Sequence, residues 1–286
     1  MITEEKIKEA VVGLLQRAST TLPSDVLAAL RDAYEKEESP PAKMQLKAIL
    51  DNVDIAGKMT KPICQDTGVP LFYVKIGKVE HGDIGKAINE GVSDATKIVP
   101  LRPNAVHPLS RKNPGNNVGR NMPYVNYKVI SEPYMEIIAF PKGAGSENMS
   151  ALGMLVPSQG VKGVKEFVLN TVVKAGSNPC PPTVIGVGIG GSADISMKLA
   201  KEALLRPITQ RHEEPEIAKL EEDLKEALNM LGIGPMGLGG KATVLGVNVE
   251  YAYCHTASLP VAVNVQCWAA RRAGCRIYSD GKIEYL

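Results

Sequence analysis

The chain has 286 residues, 44% hydrophobic and 22% charged, with 33 Lys and Arg set against 31 Asp and Glu, which is an ordinary globular composition and long enough to bury a sizeable core without disulfide staples. A net charge of +2, with one Trp, nine Tyr and three Phe, argues against nucleic-acid binding by charge or by stacking. No apolar run approaches the roughly 20 residues of a membrane span, and the charged start MITEEKIKEA has no apolar signal core, so a cytoplasmic protein is expected.

Helical signals dominate the first hundred residues. Thr3 caps the first, whose face carries Ile7, Val11, Leu14 and Leu15, with Glu4 and Glu5 where the helix dipole favours acids. Ser24 opens a second with Val26, Leu27 and Leu30. Pro40 and Pro41 precede a third in which Leu46, Ile49, Leu50 and Val53 share one face. A strand is predicted over Val69 to Ile76, then a helix from Asp83 to about Val99 with Ile84, Ala87, Ile88 and Val92 inward. The stretch from Pro100 to Pro123 carries Arg and Lys but no Asp or Glu and shows no apolar period. It reads as a long basic loop suited to an anionic partner.

Tyr124 to Val129 and Tyr134 to Phe140 read as two strands joined around Pro133, and Val161 to Ala175 as a helix. A strand at Thr183 to Val187 leads through GIGG into a helix from Ala193 to Leu205. Pro215 to Leu231 forms a charged amphipathic helix, GPMGLGG a glycine loop, and Ala242 to Val249 a strand. The end of the chain reads as a hairpin turning at Asp280 and Gly281. With only one clear strand-to-helix crossover, the expected class is α+β: a helical N-terminal region, then mixed helices and strands. No linker is clear enough to cut the chain, so residues 1–286 are taken as a single domain, with two lobes allowed.

Three glycines, Gly186, Gly188 and Gly191, spell G-x-G-x-x-G between a strand and a helix. A dinucleotide fold needs a second parallel strand ending in an acid about 20 residues on, whereas here Arg206 and Pro207 end the helix and another helix follows. What remains is that the glycines leave amide N–H groups at a helix N-terminus available to an anion, or merely allow tight strand-to-helix packing. The five cysteines, odd in number and widely scattered, argue against a disulfide framework, and no C-x-x-C pair marks structural zinc or short-spaced ferredoxin ligation. They are either buried inert thiols or ligands gathered from distant loops.

Several segments taken together are specific. KPICQDTG, LRPNAVHPL with RKNPG, GAGSEN, NPCPP with GIGG, and GGKATVLGVNVEYAYCHTASLPVAVNVQCWAARR, in this order, closely resemble the iron-sulfur class of fumarate hydratases over roughly residues 60 to 275. The match is to the N-terminal half, a separate alpha subunit in two-subunit members, and the related L(+)-tartrate dehydratase alpha subunit shares the pattern. The resemblance implies a 4Fe-4S cluster held by Cys64, Cys180 and Cys267, on which loops from distant segments converge, with Cys254 and Cys275 as ordinary thiols. It implies a substrate pocket of Gln65, Asp66, Arg102, Gly145 and His255, with Asp66 moving a proton and His255 orienting or charging it. It further implies a smaller beta subunit, an α2β2 assembly and a small dicarboxylate substrate.

Overall fold

The structure is a computed structural model describing residues 1–286. The chain divides into two compact units, one of Met1–Pro23, Asn52–Ala144 and Arg271–Leu286, the other of Ser24–Asp51 and Gly145–Ala270. The architecture is α+β, as the sequence predicts, with a mixed sheet in each unit.

In the first unit, α1 (Glu4–Thr20) and α4 (Ile84–Ile98) lie side by side. The Thr3 hydroxyl accepts from Lys6 N–H and the Asp83 carboxylate from Lys86 N–H, so each helix starts on the cap the sequence supplies. Gly91 makes the close approach possible: a Cβ there would come 2.7 Å from a Val11 methyl. The sheet runs β2 (Tyr124–Val129), β1 (Val69–Ile76), β3 (Tyr134–Lys142), β8 (Ala273–Tyr278), β9 (Ile283–Tyr285). Although β2 and β3 adjoin in sequence around Pro133, they do not pair with each other. They flank β1, β2 parallel to it and β3 antiparallel. Ile7, Val11 and Leu14 of α1, Ile88 and Val92 of α4, and Phe72, Val74, Met135, Ile137 and Ile277 of the sheet form one buried core, each large side chain contributing about 1.5–3 kcal/mol of burial. Residues 101–118, most of the predicted basic loop, have no helix or strand.

The second unit holds α2 (Ser24–Lys36) and the start of α3 (Pro40–Met59), whose last turns belong to the first unit. It also holds α6 (Gly160–Ala175), α7 (Ala193–Ala203) and α8 (Pro215–Asn229) around a sheet ordered β4 (Ala151–Leu155), β7 (Leu259–Gln266), β5 (Thr183–Gly190), β6 (Val244–Ala252). Strands β4 and β7 are additions to the elements predicted from the sequence. Val261, Val263 and Val265 of β7 join Val164 and Val168 of α6 and Leu220, Leu224 and Leu228 of α8 in a second core. On the other face α7 packs on β5, close enough that Cβ atoms at Gly186 and Gly188 would each stand 2.0 Å from a helix carbonyl, of Ala200 and Ser196 respectively. The glycine motif thus serves packing. A parallel second strand does exist, β6, but it begins only at Val244 after two helices.

Two buried acids hold the loops of this unit. Glu221 pairs with Arg206 and Arg211 and accepts N–H bonds from Val249 and His212. Glu37 accepts from the backbone of Glu38 and Ser39 and, at 2.8 Å, from Lys241 in the glycine loop.

Candidate active site

The turn Cys64–Gly68 enters β1 and carries Asp66, the best-held carboxylate of the first unit. Its Oδ1 accepts from Gly68 N–H at 3.0 Å and from Asn104 Nδ2 at 3.2 Å, and its Oδ2 accepts from Ala144 N–H at 2.8 Å. Arg271, 1% exposed, donates from Nη1 to the Asp66 carbonyl at 2.8 Å. Both the turn and the carboxylate are therefore oriented by groups far away in sequence.

Opposite it runs residues 101–106, a strap with no ladder of its own to satisfy its backbone. Thr67 Oγ1 accepts from Arg102 N–H at 3.0 Å, and Asn117 Oδ1 accepts from Asn104 and Ala105 N–H at 2.7 and 3.2 Å. Between turn and strap lies a cavity of about 580 Å³, with Gln65, Asp66, Arg102, Asn104, Arg111 and Lys142 among its lining. Arg102, Arg111 and Lys142 against Asp66 give this lining an excess of positive charge, which suits an anion. Gln65 is exposed there.

Of the sequence-predicted pocket residues, Gln65, Asp66 and Arg102 come together. Lys142, Arg111, Asn104, Asn117 and Arg271 were not singled out, although RKNPG holds Arg111, LRPNAVHPL holds Asn104 and NVQCWAARR holds Arg271. Gly145 belongs to the second unit, in the single turn α5 (Ala144–Glu147). A Cβ on it would approach the Asn178 carbonyl at 3.4 Å, so the chain passes close there. The adjacent Ala144 amide is already committed to Asp66.

Cys180 and Cys267 also belong to the second unit, and the sheet explains their pairing. β5 and β7 are antiparallel with Val184 opposite Gln266, so the segment entering β5 and the residue leaving β7 sit at one edge. Trp268 N–H donates to the Cys180 carbonyl at 3.2 Å, and Cys180 itself adopts a left-handed conformation, φ 55°. His255 stands at the other end. It lies in an exposed turn between β6 and β7, past the Gly190–Ala252 pair, its Nδ1 accepting from Ala257 N–H at 3.1 Å. The six steps of β5 from Val184 to Gly190 amount to roughly 20 Å, so the structure does not bring His255 to Cys180 and Cys267.

The thiols fall into two sorts. Cys64, Cys180 and Cys267 are partly exposed and form no disulfide. Cys275 is fully buried, and desolvation pushes its thiol up to about 12. Cys254 is exposed, with Sγ donating to the Ser258 carbonyl at 3.2 Å. No three Cys, His, Asp or Glu side chains gather around a point that a single metal ion would fill. A four-iron cluster makes a different demand, since each thiolate holds its own iron. Cys64, Cys180 and Cys267 are accessible soft donors of the kind such a cluster takes, as is the exposed Cys254, whereas the buried Cys275 thiol, held protonated, does not suit it.

The sequence model of the family described as Fumarate hydratase (Fumerase) matches residues 8–276. The chain belongs to the fumarate hydratase family. Within it, the chain is 55% identical over 284 residues to a Methanocaldococcus jannaschii protein provisionally named L(+)-tartrate dehydratase subunit alpha, covering 97% of this chain and all of that one. It is 37% identical to the L(+)-tartrate dehydratase subunit alpha of Escherichia coli K12 and 36% to that of E. coli O157:H7, in each case over 98% of this chain and 94% of the relative. The matched span includes the Asp66 turn, the Arg102 strap and all five cysteines of this hydro-lyase family member.

Proposed function

We propose that the chain is the alpha subunit of a two-subunit hydro-lyase that reversibly hydrates fumarate to (S)-malate, using a 4Fe-4S cluster held by Cys64, Cys180 and Cys267. The cavity carries this reading: Arg102, Arg111 and Lys142 line it together with Asp66, and its volume admits a small dicarboxylate. When bound, the cluster supplies a Lewis-acidic iron that polarises the hydroxyl added or removed.

The chain's own residues bind and orient. Arg102 presents a planar fork that holds one substrate carboxylate in two parallel bonds, and the Gln65 amide offers a donor and an acceptor beside it. Asp66 is the group that exchanges the carbon-bound proton: in dehydration the proton on the carbon next to the hydroxyl-bearing one passes to its carboxylate, and in hydration it returns. Its N–H contacts from Gly68, Asn104 and Ala144 fix its direction. His255, at the far end of the second sheet from Cys180 and Cys267, is left out of this set.

A second reading is L(+)-tartrate dehydration to oxaloacetate. The names of the relatives favour it, and the substrates differ by one hydroxyl at the reacting carbons. Those names, each of a subunit alpha, also favour a second, beta subunit; an α2β2 assembly in which it completes the site is part of the proposal. The test is to produce the chain anaerobically with and without that partner and to follow fumarate consumption and oxaloacetate formation. Turnover of fumarate in preference to tartrate, by the pair only, is expected. Preference for tartrate selects the second reading, and full-rate turnover by the chain alone refutes the two-subunit account.

A further inference from the structure

We infer that Asn117 is a positioning residue for substrate binding: it anchors the Arg102 strap to helix α4 and so sets where the guanidinium meets a carboxylate. The inference rests on the dicarboxylate reading of the cavity. Asn117 is 1% exposed and adopts φ 61°, a left-handed conformation that Asn tolerates better than most residues. It lines no part of the cavity, yet its amide is fully employed. Oδ1 accepts from the N–H groups of Asn104 and Ala105, and Nδ2 donates to the Arg102 carbonyl at 3.1 Å and to Thr96 Oγ1 at 3.1 Å. Thr96 in turn sits in the last turns of α4, its hydroxyl within bonding distance of the Val92 carbonyl at 2.7 Å.

The consequence is one of leverage. The strap has no strand or helix to hold it, and the side chains it offers the cavity include Arg102 and Asn104. Asn104 carries the fixed geometry onward, because its Nδ2 reaches both Asp66 Oδ1 and the Gly68 carbonyl. A single buried amide therefore sets the carboxylate clamp and, through Asn104, one contact of the proton-transfer acid. No other residue could replace it simply: a flipped amide would set donors against two N–H groups, and an aspartate would lose both donors while burying a charge.

The test is a double-mutant cycle on the full chain, with succinate, an unreactive four-carbon dicarboxylate, titrated by calorimetry. Asn117→Asp is expected to weaken succinate binding by about tenfold, the size of one lost charge-assisted hydrogen bond. In an Arg102→Lys background, where the bidentate fork is already gone, the same change is expected to weaken it far less. Thr96→Val, which removes the hydroxyl that ties Asn117 Nδ2 and the Asn116 carbonyl to α4, serves if Asn117→Asp does not fold. It is expected to act in the same direction and to show the same dependence on Arg102. Unchanged affinity in these variants, or equal losses in both backgrounds, overturns the positioning role while leaving the dicarboxylate reading intact. Failure of the unsubstituted chain to bind succinate both alone and with its beta subunit present overturns that reading and the inference with it.

Discussion

Arg271 Nη1 lies 2.8 Å from the carbonyl oxygen of Asp66, a residue 205 positions earlier in the chain. The guanidinium is almost wholly buried and its Nε has no hydrogen-bond partner, so a charged group has been kept in the interior to brace a turn. Arg271→Met should destabilise the chain by about 1.5–3 kcal/mol, the worth of a hydrogen bond from a charged donor. Denaturant unfolding with circular dichroism detection measures this, and a change within 0.5 kcal/mol, about what an unimportant surface substitution gives, would deny the brace.

Cysteine reactivity separates the two sorts of thiol. Cys275 carries a thiol raised by burial to about 12, so it binds its proton in the folded chain at pH values where an unfolded thiol has begun to ionise. Alkylation at pH 8 followed by mass spectrometry should modify exposed Cys254 and spare Cys275 until denaturant is added. Because the unfolded chain loses this proton first, Cys275 withdraws stability as pH rises above its ordinary value of 9.0 towards 12. Cys275→Ser should leave iron retention unchanged, whereas serine at Cys64, Cys180 or Cys267 should abolish it.

Glu221 is fully buried between Arg206 and Arg211. Glu221→Ala removes the carboxylate and leaves Arg211 without that partner and the Val249 amide without its acceptor. A loss of about 3–5 kcal/mol is expected, as for breaking other buried pairs, read as a fall in the unfolding midpoint.

The glycine motif gives a clean discrimination. A methyl at Gly188 would fall 2.0 Å from the Ser196 carbonyl and 2.6 Å from Ala200 N, so Gly188→Ala should force α7 off β5 at a cost of about 1–3 kcal/mol. Calorimetry with NAD should show no binding to the unsubstituted chain. Heat of binding that Gly188→Ala abolished would make the motif a nucleotide site after all.

What could be read from the sequence follows from where each signal lies. α1 and α4 were legible because cap and apolar face agree: Thr3 with Ile7 and Val11, Asp83 with Ile84 and Ile88. β7 is obscured because it is buried on both faces, so Pro260, Asn264 and Gln266 sit inside alongside Val261, Val263 and Val265 and no apolar-polar alternation marks a solvent face. The placement of β1 between β2 and β3 is a long-range choice that no local pattern encodes. In the site, Gln65, Asp66 and Arg102 lay in recognisable segments. Asn117 did not stand out: a buried asparagine in a polar loop looks like any turn residue until its four partners are in place.

Metal content tests the proposed four-iron cluster on Cys64, Cys180 and Cys267 most directly. Iron and acid-labile sulfide should be determined in the full chain after anaerobic reconstitution, beside the Cys267→Ser variant. The account predicts about four iron and four sulfide per chain, lost in the variant. A folded chain that takes up no iron, or one that retains the same iron when Cys267 is replaced, would contradict it.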